Sequence, residues 1–300
     1  MIPQRTDQPS PQPEAPARPR KPQTNLQVLR TERLSGHMVR VVAGGPEFGA
    51  FADRFAAKDA TDQYVKIWFV DPSLGVQLPV DAAALKDDLL AQGRTEQLPT
   101  TRTYTVRRVD RAAGEVAIDF VVHGDEGLAG PWAAGAQPGD WLMFTGPGGA
   151  YAPDPAADWH LLAGDDSALP AIAAAIEALA PDAAGHAFLE VDSAADVLQL
   201  DAPANLAVHW LFREGAPAGT TTLLHDAVAG LDWPRGQVQA FVHGEREMVK
   251  SLRDVLFKQH GLARRQVSIS GYWAYGRAED TFQAEKRTEI GKIIPDDYPV

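Results

Sequence analysis

The sequence predicts an antiparallel β-barrel followed by an α/β domain built on a parallel sheet, and three observations carry that prediction. Short segments that alternate or are rich in β-branched and aromatic residues crowd between about residues 25 and 151, with Gly, Pro and Asp between them. After about residue 153 the pattern changes to apolar strands alternating with helical periodicity. The 300 residues, 45% hydrophobic and 23% charged, suffice for two domains of ordinary size.

In chain order, residues 1–24 hold seven of the prolines among Gln, Glu, Arg and Lys and no buried apolar set, so an extended tail is expected there. Residues 25–153 carry strand patterns at 36–42, 63–70, 102–109 and 116–122, with Asp110 to Gly114 as a hairpin turn. No long helix is expected between these strands. Gly146-Pro147-Gly148-Gly149 lacks a full dinucleotide pattern and reads as the connection between the domains.

Residues 154–300 begin with a strand at 159–163, the turn Gly164-Asp165-Asp166-Ser167, and a helix over 168–180 whose start carries Asp and Ser as capping residues and Pro170 in the first turn. Further strands are predicted at 186–191, 206–212, 239–243 and 266–270. A helix over 245–260 presents Val249, Leu252, Val255 and Leu256 on one face, with Gly261 past its end.

Composition excludes several function classes. The chain has no cysteine, so disulfide frameworks, thiolate metal centres and cysteine nucleophiles are absent, and redox chemistry needs a borrowed cofactor. Net charge is -12, which opposes binding to nucleic acid and to anionic membranes. No apolar run is long enough for a membrane span, and the N-terminus lacks a secretion-signal pattern, so a cytoplasmic protein is expected. The eight histidines show no helical metal-ligand spacing with a carboxylate, and no metal site is expected. Ser167 sits in nothing like a nucleophile elbow.

The chemistry-bearing signal is Arg102-Thr103-Tyr104-Thr105-Val106-Arg107. On a strand, Arg102, Tyr104 and Val106 face one side, and Thr103, Thr105 and Arg107 the other. An aromatic plane, a hydroxyl and cations close together suit a flat heteroaromatic ring with a phosphate, and equally an ordinary half-buried strand with solvated arginines. The segment 119–133 then supplies Asp119, Val121, Val122, His123, Gly127, Ala129, Gly130, Trp132 and Ala133, whose glycines allow a diphosphate close to the backbone. The turn at Gly164 leads into a helix N-terminus, which suits either a phosphate or plain capping.

These segments, with Gly164-Asp165-Asp166-Ser167-Ala168-Leu169-Pro170-Ala171-Ile172 and Gly271-Tyr272-Trp273 followed by Gly276, resemble the siderophore-interacting protein family of ferric-siderophore reductases within the ferredoxin-reductase-like flavoproteins. They occur in family order over most of the chain beyond the tail. The resemblance implies a flavin-binding Greek-key barrel joined to a Rossmann-like nucleotide-binding domain that ends in a helical segment. It implies FAD as cofactor, NADPH or NADH as electron donor with a ferredoxin as an alternative, and a ferric siderophore as substrate.

By that resemblance Tyr104 packs on the isoalloxazine, Thr105 lies near N5, and Arg102 and Arg107 serve the phosphate and ring ends, with Val106 between them. His123 with Val121 and Val122 lies along the adenosine side, Asp119 is a further FAD contact, and Gly127, Ala129, Gly130, Trp132 and Ala133 wrap the diphosphate. Gly164, Asp165, Ser167, Ala168, Gly244 and Glu245 are expected at the nicotinamide nucleotide. Arg213 and Arg246 are candidates for an adenosine 2′-phosphate or for surface solvation. Lys66, Trp273 and Arg277 are expected beside the iron chelate. The chain departs from the family where Leu128 replaces a proline, and where Pro131 and Ala274 stand at positions that are often basic. Competing readings are a flavin-dependent reductase of another acceptor and a binding protein without turnover.

Overall fold

The structure is a computed structural model, described here for residues 21–124, 127–296 and 298. The proline-rich tail lies almost entirely outside these residues, as do Asp125 and Glu126 of the glycine-rich segment.

The first half is a closed six-stranded antiparallel barrel. Its elements are β1 (Gln23–Arg33), β2 (Met38–Gly44), α1 (Phe48–Ala56), β3 (Tyr64–Phe69), α2 (Ala82–Ala91), β4 (Thr100–Asp110), β5 (Glu115–Val121), α3 (Ala129–Gly135) and β6 (Trp141–Gly148). Around the barrel the strands run β1-β2-β5-β4-β3-β6. β3, β4 and β5 are successive neighbours, and β2, joined to β3 by a long connection, lies beside β5, which makes a Greek key. β1 starts at Gln23, inside the stretch expected to be tail, because Thr24, Leu26 and Val28 alternate into the barrel.

Three sequence expectations for this half are corrected. α1 and α2 interrupt the strands where no long helix was expected; α1 buries Phe51 in the barrel core, with Phe48 and Phe55 packed against it. Gly146 to Gly148 are not a connection but the end of β6, where Gly148 pairs with Tyr64. The glycine-rich segment folds into α3, and a Cβ at Gly130 would stand 3.0 Å from the Val121 carbonyl, so glycine there lets α3 sit against β5.

The second half is a five-stranded parallel sheet. It contains β7 (Trp159–Asp165), α4 (Leu169–Glu177), β8 (Ala184–Val191), β9 (Asn205–Phe212), α5 (Leu223–Ala229), β10 (Val238–Glu245), α6 (Arg246–Asp254) and β11 (Val267–Trp273), and α7 (Glu279–Glu285) follows it. Strand order is β11-β10-β7-β8-β9, so the winding reverses between β7 and β10, where ligands bind in open α/β sheets. α6 continues as a π-helical turn from Val255 to Gln259, completing the helix expected from the sequence.

The capping expectation for the helix after β7 is also corrected: α4 has Ala168 at its N-cap with no side-chain cap, and Asp165 instead accepts from the Ser167 amide and hydroxyl. The two halves share a core. Met38 and Tyr151 are buried with Leu162, Leu169 and Ile172, so α4 is sandwiched between the sheet and the barrel.

Candidate functional site

β4 carries the aromatic side of the site. The Tyr104 ring lies 4.4 Å from that of Phe120, and Phe120 lies 5.6 Å from Trp132, which meets Phe69 edge-on at 5.8 Å. Burial raises the Tyr104 phenol above its ordinary range, so it stays neutral. Simple alternation does not hold along the strand: Thr105 and Val106 are both buried, and the β4–β5 register shifts between Val106 and Arg108.

The two arginines of this strand reach across to the second half. Arg102 pairs with Asp280 of α7 at 3.2 Å, and Arg107 pairs bidentately with Glu177 of α4. Asp119 is buried and taken up by Arg40 through two hydrogen bonds of 2.7 and 2.9 Å. Arg40, Arg107 and Asp119 line a cleft of about 310 Å³ whose far wall is Leu169, Pro170 and Leu198. Val106, Ala129 and Ala133 lie in the barrel core, so they offer a ligand only backbone. Gly124 and Gly127 have φ of 58° and 79° with open space where a side chain would stand, which leaves room for a phosphate beside the chain. His123 is exposed, its ring 6.2 Å from that of His37.

The nucleotide set converges at the reversal point of the sheet. Asp165 Oδ2 accepts from the Glu245 amide and from Trp273 Nε1, both at 2.8 Å. Glu245 caps α6 by accepting from the amides of Glu247 and Met248, and its other oxygen accepts from the Tyr275 amide at 3.1 Å. Gly244, at φ 143°, is needed because a Cβ there would lie 2.8 Å from Asp165 Oδ2. Gly164 is likewise a packing glycine, since its Cβ would meet the His243 carbonyl at 2.5 Å.

Neither nucleotide arginine is solvated. Arg213, with 3% of its side chain exposed, pairs with Asp166 at 2.7 Å and faces Glu190 at 3.8 Å, and Arg246 pairs with Glu285 and Glu247. Burial raises the Asp166 carboxyl to about 6 despite Arg213.

A link that sequence reading missed joins the two sets. The Tyr272 hydroxyl contacts that of Thr105, and burial raises the Tyr272 phenol. Tyr272 meets the His243 ring edge-on at 5.0 Å, and His243 pairs in register with Gly164. Burial lowers the His243 imidazole to about 3, so it is neutral, and its Nε2 is bonded to Ser268 at 2.9 Å.

Of the substrate candidates, Lys66 is exposed on β3, and its charge, after burial, lowers the pKa of Lys286 at the end of α7. Trp273 is held by Asp165, and Arg277 donates to Glu285 at 2.8 Å. No signal in the sequence pairs residues this far apart.

Both halves of the chain match known families. Residues 27–151 match the siderophore-interacting FAD-binding domain, and 157–276 match the siderophore-interacting protein family. An uncharacterized protein of Mycobacterium tuberculosis is 48% identical over 89% of this chain and 95% of its own length. Ferric vibriobactin reductase ViuB of Vibrio cholerae is 34% identical over 87% of this chain and 93% of its own. A crystal structure of a siderophore utilization protein from T. fusca is 40% identical, covers 86% of this chain and 94% of its own, and superposes with a TM-score of 0.73.

Proposed function

The chain belongs to the siderophore-interacting protein family, whose barrel domain binds FAD, and from that premise we propose that it is an FAD-dependent ferric-siderophore reductase drawing electrons from NADPH or NADH. The observation that carries the reading is the pairing of the flavin strand with the second half, Arg107 with Glu177 of α4 and Arg102 with Asp280 of α7, which brings β4 to the elements that follow β7 and β11 beside the reversal point of the parallel sheet. A reductase needs that adjacency, because the donor nucleotide must lie beside the isoalloxazine.

The residues present fit FAD. Tyr104 offers a neutral ring to the isoalloxazine, Thr105 a hydroxyl at its centre, Arg102 and Arg107 cations to its polar ends, and the backbone at Gly124 and Gly127 space for the diphosphate. FAD, when bound, converts a two-electron hydride into single-electron steps. Residues 25–153 then form the flavin domain and 154–300 the nucleotide domain. Asp165 and Glu245, their oxygens already bonded to protein donors, shape the nucleotide cleft rather than grip the nucleotide. Lys66, with Lys286, supplies positive charge for an anionic chelate in a chain of net charge -12. Reduction to Fe(II) weakens the hard-oxygen chelate, so release needs no permanent iron ligand from the protein.

Single variants test the flavin placement. Tyr104→Ala, Thr105→Ala and Arg102→Ala each lower the FAD retained on gel filtration, and unchanged flavin content in all three overturns the placement. Lys66→Gln raises KM for an anionic ferric chelate with little change in kcat, as loss of uniform binding requires. An equal KM sets Lys66 outside the substrate site.

A further inference from the structure

We propose that His37, Asp192 and Asp196 bind one divalent first-row transition-metal ion at the seam between the barrel and the parallel sheet. His37 stands in the turn between β1 and β2, and the two aspartates lie in the loop after β8. Their ligand atoms fall within 4.8 Å of one another. His37 Nδ1 is 3.0 Å from Asp196 Oδ1, across 159 residues of sequence. Tetrahedral zinc holds donors that lie about 2.1 Å from it about 3.4 Å apart, so a shift of a few tenths of an ångström turns this hydrogen-bonded pair into adjacent ligands.

Charge points the same way. Asp196 has 3% of its side chain exposed, and the bonds recorded for it among the described residues come from His37, Ser35 and Ser193, none from lysine or arginine. The Asp192 carboxylate beside it has no side-chain hydrogen-bond or ion-pair partner among the described residues.

The donor set selects the class of ion. One imidazole and two carboxylates suit the borderline ions from Fe²⁺ to Zn²⁺, whereas Mg²⁺ and Ca²⁺ favour oxygen alone. The metal takes the place of the proton between His37 and Asp196, and Ser193, donating to Asp196 Oδ2 at 3.2 Å, holds that carboxylate in orientation. Because the ligands come from both halves, the ion clamps the barrel turn to the sheet. Sequence spacing gave no hint of it, since His37 has no ligand near it in the chain. The site stands independently of the reductase reading.

The test is calorimetric titration of the metal-stripped full-length protein with ZnCl2 and, separately, MgCl2. One Zn²⁺ per chain with no Mg²⁺ heat is expected, together with a rise in thermal midpoint on adding Zn²⁺. Asp192→Asn leaves the metal-free midpoint unchanged while weakening Zn²⁺ by about tenfold or more, and His37→Gln weakens it likewise. His186→Asn, at a pair of histidines on the parallel sheet (His186 and His209, 3.1 Å apart), leaves Zn²⁺ affinity unchanged. Failure to bind Zn²⁺ overturns the proposal, as does an affinity that neither Asp192→Asn nor His37→Gln alters.

Discussion

Asp165 accepts four hydrogen bonds, from the Ser167 amide and hydroxyl, the Glu245 amide and the Trp273 indole, and so ties the ends of β7, β10 and β11 together. Removing the carboxylate leaves buried donors unmet, at about 1 to 3 kcal/mol for each. Asp165→Ala is therefore expected to lower the unfolding free energy by about 2 kcal/mol or more and to shift Trp273 fluorescence, measured by denaturant titration. His243 gives a pH signature. Its imidazole titrates near 6.5 when unfolded and near 3 when folded, so the unfolded chain takes up the proton first and stability falls as pH drops from 6.5 towards 3. Relative to His243→Gln, the wild type loses stability with an extra slope of up to about 1.4 kcal/mol per pH unit across that window. A parallel pH dependence in the two proteins contradicts its burial. The sequence named Asp165 and Gly244 as candidates for one site, and the structure brings the two together, with Gly244 packed against the Asp165 carboxylate. It did not show that Oδ2 of Asp165 goes to the protein, because its partners lie 80 and 108 residues away.

At the level of the elements, close approach between β7, β10 and α4 depends on Gly164. A Cβ there would stand 2.5 Å from the His243 carbonyl and 2.7 Å from the Ala168 Cβ, contacts that only backbone movement relieves. Gly164→Ala is expected to cost about 1 to 3 kcal/mol in thermal unfolding with or without nucleotide. A loss that appears only with nucleotide present gives the glycine to the ligand instead. Apart from β1 and β6 the strands were legible because alternation and β-branching mark them locally, and the Asp110–Gly114 turn shows as expected, with Asp110 accepting from the amides of Ala112 and Ala113. β1 escaped because only Thr24, Leu26 and Val28 of its eleven residues are buried, too short a pattern against the polar rest. α2 escaped because it buries only Ala82 and Leu89, leaving no apolar stripe to read. α3 is hidden in a glycine-rich, proline-containing run whose helical form depends on packing against β5.

Across the whole molecule, function rests on how the barrel meets the sheet. Met38 and Tyr151 share a core with α4, while Arg107 to Glu177 and Arg102 to Asp280 cross the same seam. The aromatic strand thus faces the point where the sheet reverses, and no helix among the described residues is long and apolar enough to cross a membrane. The sequence supplied both halves and the strand that joins them chemically. The Thr105–Tyr272 contact and the ion pairs across the seam arise only on folding, since no local pattern encodes which residues meet across 167 positions. The most direct test of the reductase reading is an absorbance spectrum of the purified protein taken anaerobically, then with NADPH or NADH, then with a ferric siderophore and a ferrous trap. The expected result is an oxidised-flavin spectrum that bleaches with the nucleotide and returns on adding the iron complex as trapped Fe(II) appears. Flavin that bleaches without ever reducing the iron complex contradicts the substrate assignment, and a colourless protein unable to take up FAD contradicts the account at its base.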